Sequence, residues 1–209
     1  MIVQTLVVGP LETNCYIVAC EKTLSAVVID PGFEGQDIVA QIDRMGLHVV
    51  AIVNTHGHGD HVMANDQVRD RTSAKVMIHR DDAGMLETAA KDFAARTGLH
   101  SAVNPVDLVL DDGSAVEAGG LKLVTIHTPG HSPGSCCISC ESTLFSGDTL
   151  FAGSVGRTDL PGGSRRDLVR SLSKLMTLPD DTRVLPGHGP ETTIGEERLH
   201  NPFTRMVVL

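Results

Sequence analysis

Between Thr55 and His61 the chain reads "THGHGDH", which sets three imidazoles and a carboxylate within six positions: His56, His58, Asp60 and His61. Neutral imidazole nitrogen and carboxylate oxygen are ordinary ligands for zinc and similar divalent ions. A helical metal motif would space its histidines at i and i+4, on one face. Here the alternate spacing and the glycines at 57 and 59 do not fit a helix face. They fit a loop, in which glycine lets the backbone turn tightly and bring alternate side chains inward. Four ligand-type groups are too many for one tetrahedral ion that keeps an open position for chemistry. Either some of them support the ligands, or the loop serves two ions.

Three more ligand-type residues recur in matching surroundings. His131 lies in "TPGHSPGS" and His188 in "LPGHGP", each a Pro-Gly-His turn directly after an apolar run. Asp148, in "LFSGDT", follows an apolar run and a glycine in the same manner, and Asp30-Pro31-Gly32 offers a supporting turn. Residues at strand ends on one edge of a layered fold can converge on a shared groove. The other histidines, at 48, 79, 100, 127 and 200, lack this setting and read as surface or packing residues. His127 is the least clear of them, being four residues before His131.

Extended segments must carry these loops. "IVQTLVV", "CYIVAC" and "SAVVID" read as strands in the first thirty residues, the last ending at the Asp-Pro-Gly turn. Residues 34–46 place Ile38, Ile42 and Met45 at helical spacing before Gly46. "HVVAIVN" (48–54) is a continuous apolar run, the mark of a strand buried on both faces. The reading continues with a helix at 62–72, a strand at 75–79 and a polar, Ala-rich helical stretch at 81–97. In the second half, "LKLVTIH" (121–127) alternates as a half-exposed strand, and "SCCISC" and "TLFSGD" extend the sheet. Ser164 with Asp167 resembles a capping box ahead of an apolar stripe of Leu168, Val169, Leu172, Leu175 and Met176. "TRVLPGHG" reads as a last short strand and turn, and 194–200 as a terminal helical piece. Each half thus gives several strands and at least one helix, an order satisfied by two stacked sheets with helices outside. A doubly wound sheet would need stricter alternation and a Gly-rich phosphate loop, and neither is present.

Composition bounds the partners. The 209 residues suit one domain spanning 1–209, large enough to bury a core of Val, Leu, Ile and Ala without staples. The net charge is -9, from 17 basic and 26 acidic residues, and no basic run exceeds Arg165–Arg166. Such a chain is not expected to bind nucleic acid or an anionic membrane surface. No signal peptide and no membrane-length apolar run are visible, so a cytoplasmic location is expected, with the five cysteines as reduced thiols. "CISC" (137–140) has a metal or redox spacing. In a strand, however, residues three apart face opposite ways, which favours small buried hydrophobes.

The residues Thr55 to His61, with His131, Asp148 and His188 in that order, resemble the metallo-β-lactamase superfamily, whose signature is T-H-x-H-x-D-H followed by a distant His, Asp and His. Within it, "GDTLFAGSVGRTDLPGG" (147–163) and "PGHGPETTIGEERLHNPF" (186–203) are most similar to small bacterial glyoxalase II-like hydrolases. The resemblance implies a four-layered αββα sandwich with two metal ions in a groove at one edge. It assigns His56, His58 and His131 to one ion, Asp60, His61 and His188 to the other, and Asp148 to both. It further implies zinc, with iron or manganese also accepted, and a metal-bridging hydroxide beside Asp60 and Asp148 as the catalytic group.

The reaction so implied is hydrolysis of a small-molecule thioester such as S-D-lactoylglutathione. Arg157, in "GSVGRTD", stands near where glyoxalase II enzymes carry a basic side chain facing the glutathione carboxylate. Their helical C-terminal domain has no counterpart in the 21 residues after His188. Two other readings are a hydrolase of a different small ester or thioester, and a persulfide dioxygenase binding one iron through His56, His131 and Asp148. A third is a metal-binding protein without catalysis. β-Lactam hydrolysis is not expected, because dinuclear enzymes of that kind generally place a cysteine where this chain has Asp148.

Overall fold

A computed structural model describes residues 1–89, 91 and 106–205. Strands β1 (Ile2–Val8), β2 (Thr13–Ala19), β3 (Ser25–Ile29), β4 (His48–Asn54), β5 (Lys75–His79) and β6 (Leu108–Leu110) form one six-stranded sheet in sequence order. β1, β2 and β3 pair antiparallel, whereas β3 to β6 are parallel. Parallel neighbours need crossover connections. Helices α1 (Gly35–Met45), the single turn α2 (Gly59–Val62) and α3 (Asn65–Thr72) lie in two of them. The second sheet holds β7 (Ala115–Ala118), β8 (Leu121–His127), β9 (Cys136–Cys140), β10 (Thr143–Gly147), β13 (Arg183–Pro186) and β14 (Thr192–Thr193), in the order β14-β13-β10-β9-β8-β7. A hairpin of β11 (Leu150–Phe151) and β12 (Ser154–Val155) and helices α4 (Arg165–Leu175), α5 (Ile194–His200) and α6 (Pro202–Arg205) complete the described chain.

Strand alternation divides the core into three layers. In β2 and β3, Ile17, Ala19, Ala26 and Val28 face outward onto Ile38, Ile42 and Val68 of α1 and α3. Tyr16, Val18, Val27 and Ile29 face inward and meet Leu123, Ile138, Phe145 and Leu185 of the second sheet. On that sheet's far side Cys137, Leu144 and Val184 pack under Leu168, Leu172 and Leu175 of α4 and Ile194 of α5. Helix, sheet, sheet, helix is the four-layered αββα arrangement. The period-2 pattern of each strand builds it, because both faces of both sheets are covered.

Several local expectations hold. α1 ends at Gly46 in the left-handed conformation, and the Ser164 hydroxyl accepts from the Asp167 amide to cap α4. The cysteines are buried free thiols, with Cys137 and Cys140 in different core layers. Other details differ. The helix expected at 62–72 is two pieces, α2 and α3, with a break at Met63 and Ala64, where the Ala64 amide donates to the Pro31 carbonyl. Val169 of the α4 stripe is exposed, lying off the buried face. β13 is followed by β14, so it is not the last strand. Of the stretch 81–97, residues 85–89 are helical, and most of the remainder lies outside the described residues. Among the described residues no helix is long and apolar enough to cross a membrane.

Candidate metal centre

The loop after β4 starts from a buried anchor. Asn54 and Asn65 exchange side-chain hydrogen bonds, and the Asn54 amide also donates to the His61 carbonyl at 3.0 Å. This closes residues 55–61 into a compact turn that ends in α2. The loop after β8 is tied to it, since the Cys136 amide donates to the Thr55 carbonyl at 2.8 Å. The last loop is strapped to β2. The Asn14 amide donates to the Gly187 carbonyl, its side chain to the Pro186 and Gly189 carbonyls, and the Tyr16 hydroxyl to Pro186 at 2.7 Å. The Gly187 amide in turn donates to the Gly147 carbonyl, placing His188 beside Asp148.

All seven ligand-type residues read from the sequence converge. The ligand atoms of His56, His58 and His131 lie within 4.8 Å of one another, and so do those of Asp60, His61 and His188. His58 Nδ1 and His131 Nε2 are 2.8 Å apart, and His188 Nε2 is 3.2 Å from Asp60 Oδ2. Asp148 lies between the groups: Oδ1 is 3.5 Å from His61 Nε2, and Oδ2 is 3.4 Å from His131 Nε2 and 3.7 Å from His188 Nε2.

Four of the five imidazoles, all but His58, have one nitrogen committed elsewhere. His131 Nδ1 donates to the Arg157 carbonyl at 2.8 Å and His188 Nδ1 to the Leu11 carbonyl at 3.0 Å. His61 Nδ1 donates to Asp30 Oδ2 at 3.0 Å. Asp30 also accepts from the Thr55 amide at 2.7 Å and the Thr55 hydroxyl at 2.6 Å, and that hydroxyl accepts from His56 Nδ1 at 3.1 Å. These partners fix the tautomers so that the second nitrogen carries a lone pair into the cluster. Asp30 holds a left-handed φ of 52°, a conformation a non-glycine residue keeps only when its surroundings enforce it.

Charge is unevenly spread. Burial, then the positive charges of His61 and His131, holds His56 well below the ordinary histidine range. Burial likewise lowers His58. For His61 burial opposes protonation, but Asp148 and Asp30 outweigh it and lift the group well above that range. His188 is lifted in the same way, its burial overcome by the bond to Asp60 and the charge of Asp148. Burial would raise Asp60, yet the adjacent His188 and His61 imidazoles hold it far below the carboxylate range.

The residues fit divalent ions. His56 Nε2, His61 Nε2 and Asp148 Oδ1 are buried with no hydrogen-bond partner, a costly state for three polar atoms unless a cation accepts their lone pairs. Tetrahedral ligands with bonds of roughly 2 Å stand about 3.3 Å apart, close to the separations found here. A further trio, His79, Asp81 and His127, is also close, but its two rings stack face to face at 3.9 Å and 11°. Lone pairs in parallel ring planes do not converge on one ion. His79 and His127 are packing residues, and His48 and His200 are exposed; His100 lies outside the described residues.

Arg157 stands on the loop below His131. Its side chain is exposed and forms a bidentate pair with Asp159, while its carbonyl orients His131. Sequence reading missed the helpers of this centre: the Leu11 carbonyl, the Asn14 and Tyr16 straps, and the buried carboxylate Asp82. The polar pair Thr13-Asn14 opening an apolar strand was the one available signal for the strap.

A family model described as the metallo-beta-lactamase superfamily matches residues 8–188. The chain is 33% identical to the Haemophilus influenzae protein named hydroxyacylglutathione hydrolase GloC, over 97% of this chain and 98% of that one. Among solved structures it is similar to the BLEG-1 B3 metallo-beta-lactamase (TM-score 0.89, 38% identity, 97% and 99% of the two chains). It is also similar to TTHA1623 in a di-iron-bound form (TM-score 0.85, 39% identity, 96% and 99%). With these matches spanning the loops just described, the chain belongs to the metallo-beta-lactamase superfamily, as a metal-dependent hydrolase.

Proposed function

We propose that the chain is a glyoxalase II-like thioesterase that hydrolyses S-D-lactoylglutathione or a closely related small thioester. The observation that carries the reading is the pair of three-ligand clusters sharing Asp148. The similarity to a hydroxyacylglutathione hydrolase along nearly the full length of both chains supports it. His56, His58 and His131 would hold one ion and Asp60, His61 and His188 the other, with Asp148 reaching both. Zinc suits this nitrogen and oxygen donor set, and iron or manganese is accommodated by it; the similarity to a di-iron form supports that breadth. Divalent ions bound there supply a nucleophile from water near neutral pH and Lewis acidity for the thioester carbonyl.

The chain's own groups do the rest. Asp30 and the Leu11 and Arg157 carbonyls keep the imidazoles in the ligating tautomer. Asp60, kept ionised by His61 and His188, would offer the second ion an anionic ligand at any working pH. Phe151, with its ring 6.2 Å from that of His188, and the exposed Leu11 give the rim an apolar wall for an acyl chain. Arg157, once released from Asp159, is the cation on that rim for a glutathione carboxylate.

The test is thiol release from S-D-lactoylglutathione by protein loaded with zinc, iron or manganese, beside a chelator-stripped sample. Metal-dependent release is expected, with metal analysis giving about two ions per chain. A penicillin or cephalosporin opened faster than the thioester would favour the activity that the BLEG-1 name carries. Brisk oxygen uptake with glutathione persulfide and no thioester cleavage would assign the dioxygenase reading instead.

A further inference from the structure

Asp82 is a fully buried carboxylate that the hydrolytic reading leaves without a task. It sits in a short 3-10 turn (Arg80–Asp82) directly after β5, away from both ligand clusters in sequence. Its oxygens accept three hydrogen bonds from neutral donors. The Gly57 amide donates to Oδ2 at 3.0 Å, the Ser132 hydroxyl to Oδ2 at 2.6 Å, and the Gly134 amide to Oδ1 at 2.6 Å. Gly57 stands between His56 and His58, and Ser132 follows His131. One carboxylate therefore holds the two loops that bring together the three-imidazole cluster. Those loops leave different sheets, and their ligands His58 and His131 are 73 residues apart.

The approach is close enough to be specific. A Cβ added at Gly134 would lie 2.6 Å from the Asp82 amide nitrogen and 2.7 Å from its carboxyl carbon, so only glycine lets that loop reach the carboxylate. Ser135 extends the clamp, its hydroxyl lying 2.6 Å from that of Ser132. Nothing comparable ties Asp82 to the other cluster. His61 is held by Asp30, and His188 by Leu11 and the Asn14 strap.

We infer that Asp82 is a positioning residue for the His56, His58 and His131 site alone, setting the affinity of that site for its ion without touching the ion or the substrate. The inference rests on the two-cluster metal reading proposed above. An amide in place of the carboxylate would turn one acceptor into a donor facing an N–H, so at least one loop would be released.

The experiment is a zinc titration of metal-free wild-type, Asp82→Asn and Ser132→Ala proteins, followed by NMR of the histidine side chains, which reports each imidazole as it is ligated. Circular dichroism of the metal-free forms checks the fold. In Asp82→Asn the affinity of the His56, His58 and His131 site should fall about 10–100-fold, the usual cost of losing a supporting partner. The site of His61 and His188 should stay within a few-fold of wild type. Ser132→Ala should shift the same ratio in the same direction by less, and it carries the test if Asp82→Asn does not fold. Equal weakening at both sites, or an unchanged ratio, would overturn the inference. A wild-type protein that ligates no zinc through these histidines would instead overturn the metal reading beneath it.

Discussion

His56, His61, His131 and His188 each give one ring nitrogen to a fixed acceptor and turn the other inward, yet the imidazoles of the centre differ in their readiness to take a cation. His56 and His58 are kept neutral by burial, whereas His61 and His188 are lifted by carboxylates, so the metal-free protein carries protons mainly on the latter pair. A cation entering beside Asp60 must displace those protons, and metal binding that displaces protons strengthens with pH. Proton release on zinc addition should therefore come chiefly from the His61 and His188 cluster. Its apparent affinity should climb steeply as pH rises through neutrality, while that of the His56 and His58 cluster changes little. Titration calorimetry in buffers of different ionisation enthalpy would measure this, and equal proton release from both clusters would contradict it. The seven converging residues were legible in the sequence because each lies in a short Gly-containing loop that follows an apolar run. Asp82, in "HRDDAG", was not legible. Its role exists only because β5 ends between two loops that are distant along the chain.

At the scale of elements, α4 is the brace of the His131 loop. The Ser164 amide donates to the Gly130 carbonyl at 2.8 Å and the Ser171 hydroxyl to the Pro129 carbonyl at 2.7 Å. Gly130 has a φ of 144°, and a Cβ there would run into the backbone of Leu168. Gly130→Ala should push α4 off the loop and cost about 1–3 kcal/mol, the usual range for an overpacked contact. Urea denaturation of the metal-free protein would read it; wild-type stability would show that the helix does not press on the loop. Long elements such as β2, β4, α1 and α4 were visible from periodicity, since each buries a regular face. β6, β7, β11, β12 and β14 run to only two to four residues, too few to show a period, and pairing with longer neighbours defines them. The break between α2 and α3 was also hidden, because it is made by the distant Pro31 carbonyl.

For the whole molecule, the two sheets share an apolar layer and then share a polar one at a single edge. His56, His58, Asp60 and His61 follow a strand of the first sheet, and His131, Asp148 and His188 follow strands of the second. Ions bound between them favour the folded state by mass action, about 4 kcal/mol for one ion at a thousand times its dissociation constant. Stripping the metal should lower Tm by on the order of 10 °C for a chain of this size. Calorimetry with and without a chelator would show it, and an unchanged Tm would mean the clusters hold no ion in the folded protein. The sandwich itself was legible from the order of strands and helices. The mixed pairing of its sheets was not, because parallel and antiparallel neighbours carry similar side-chain patterns when both faces are covered.

The strap that fastens the His188 loop to β2 has a bearing on biosynthesis. Asn14 and Tyr16 emerge from the ribosome early, but the carbonyls they grip and the final imidazole are made only after most of the polypeptide. A half-translated chain would display His56 and His58 without the residues that complete either ion-binding set. The set of His56 and His58 would be completed only once His131 and Asp148 are made, and that of Asp60 and His61 only once His188 follows.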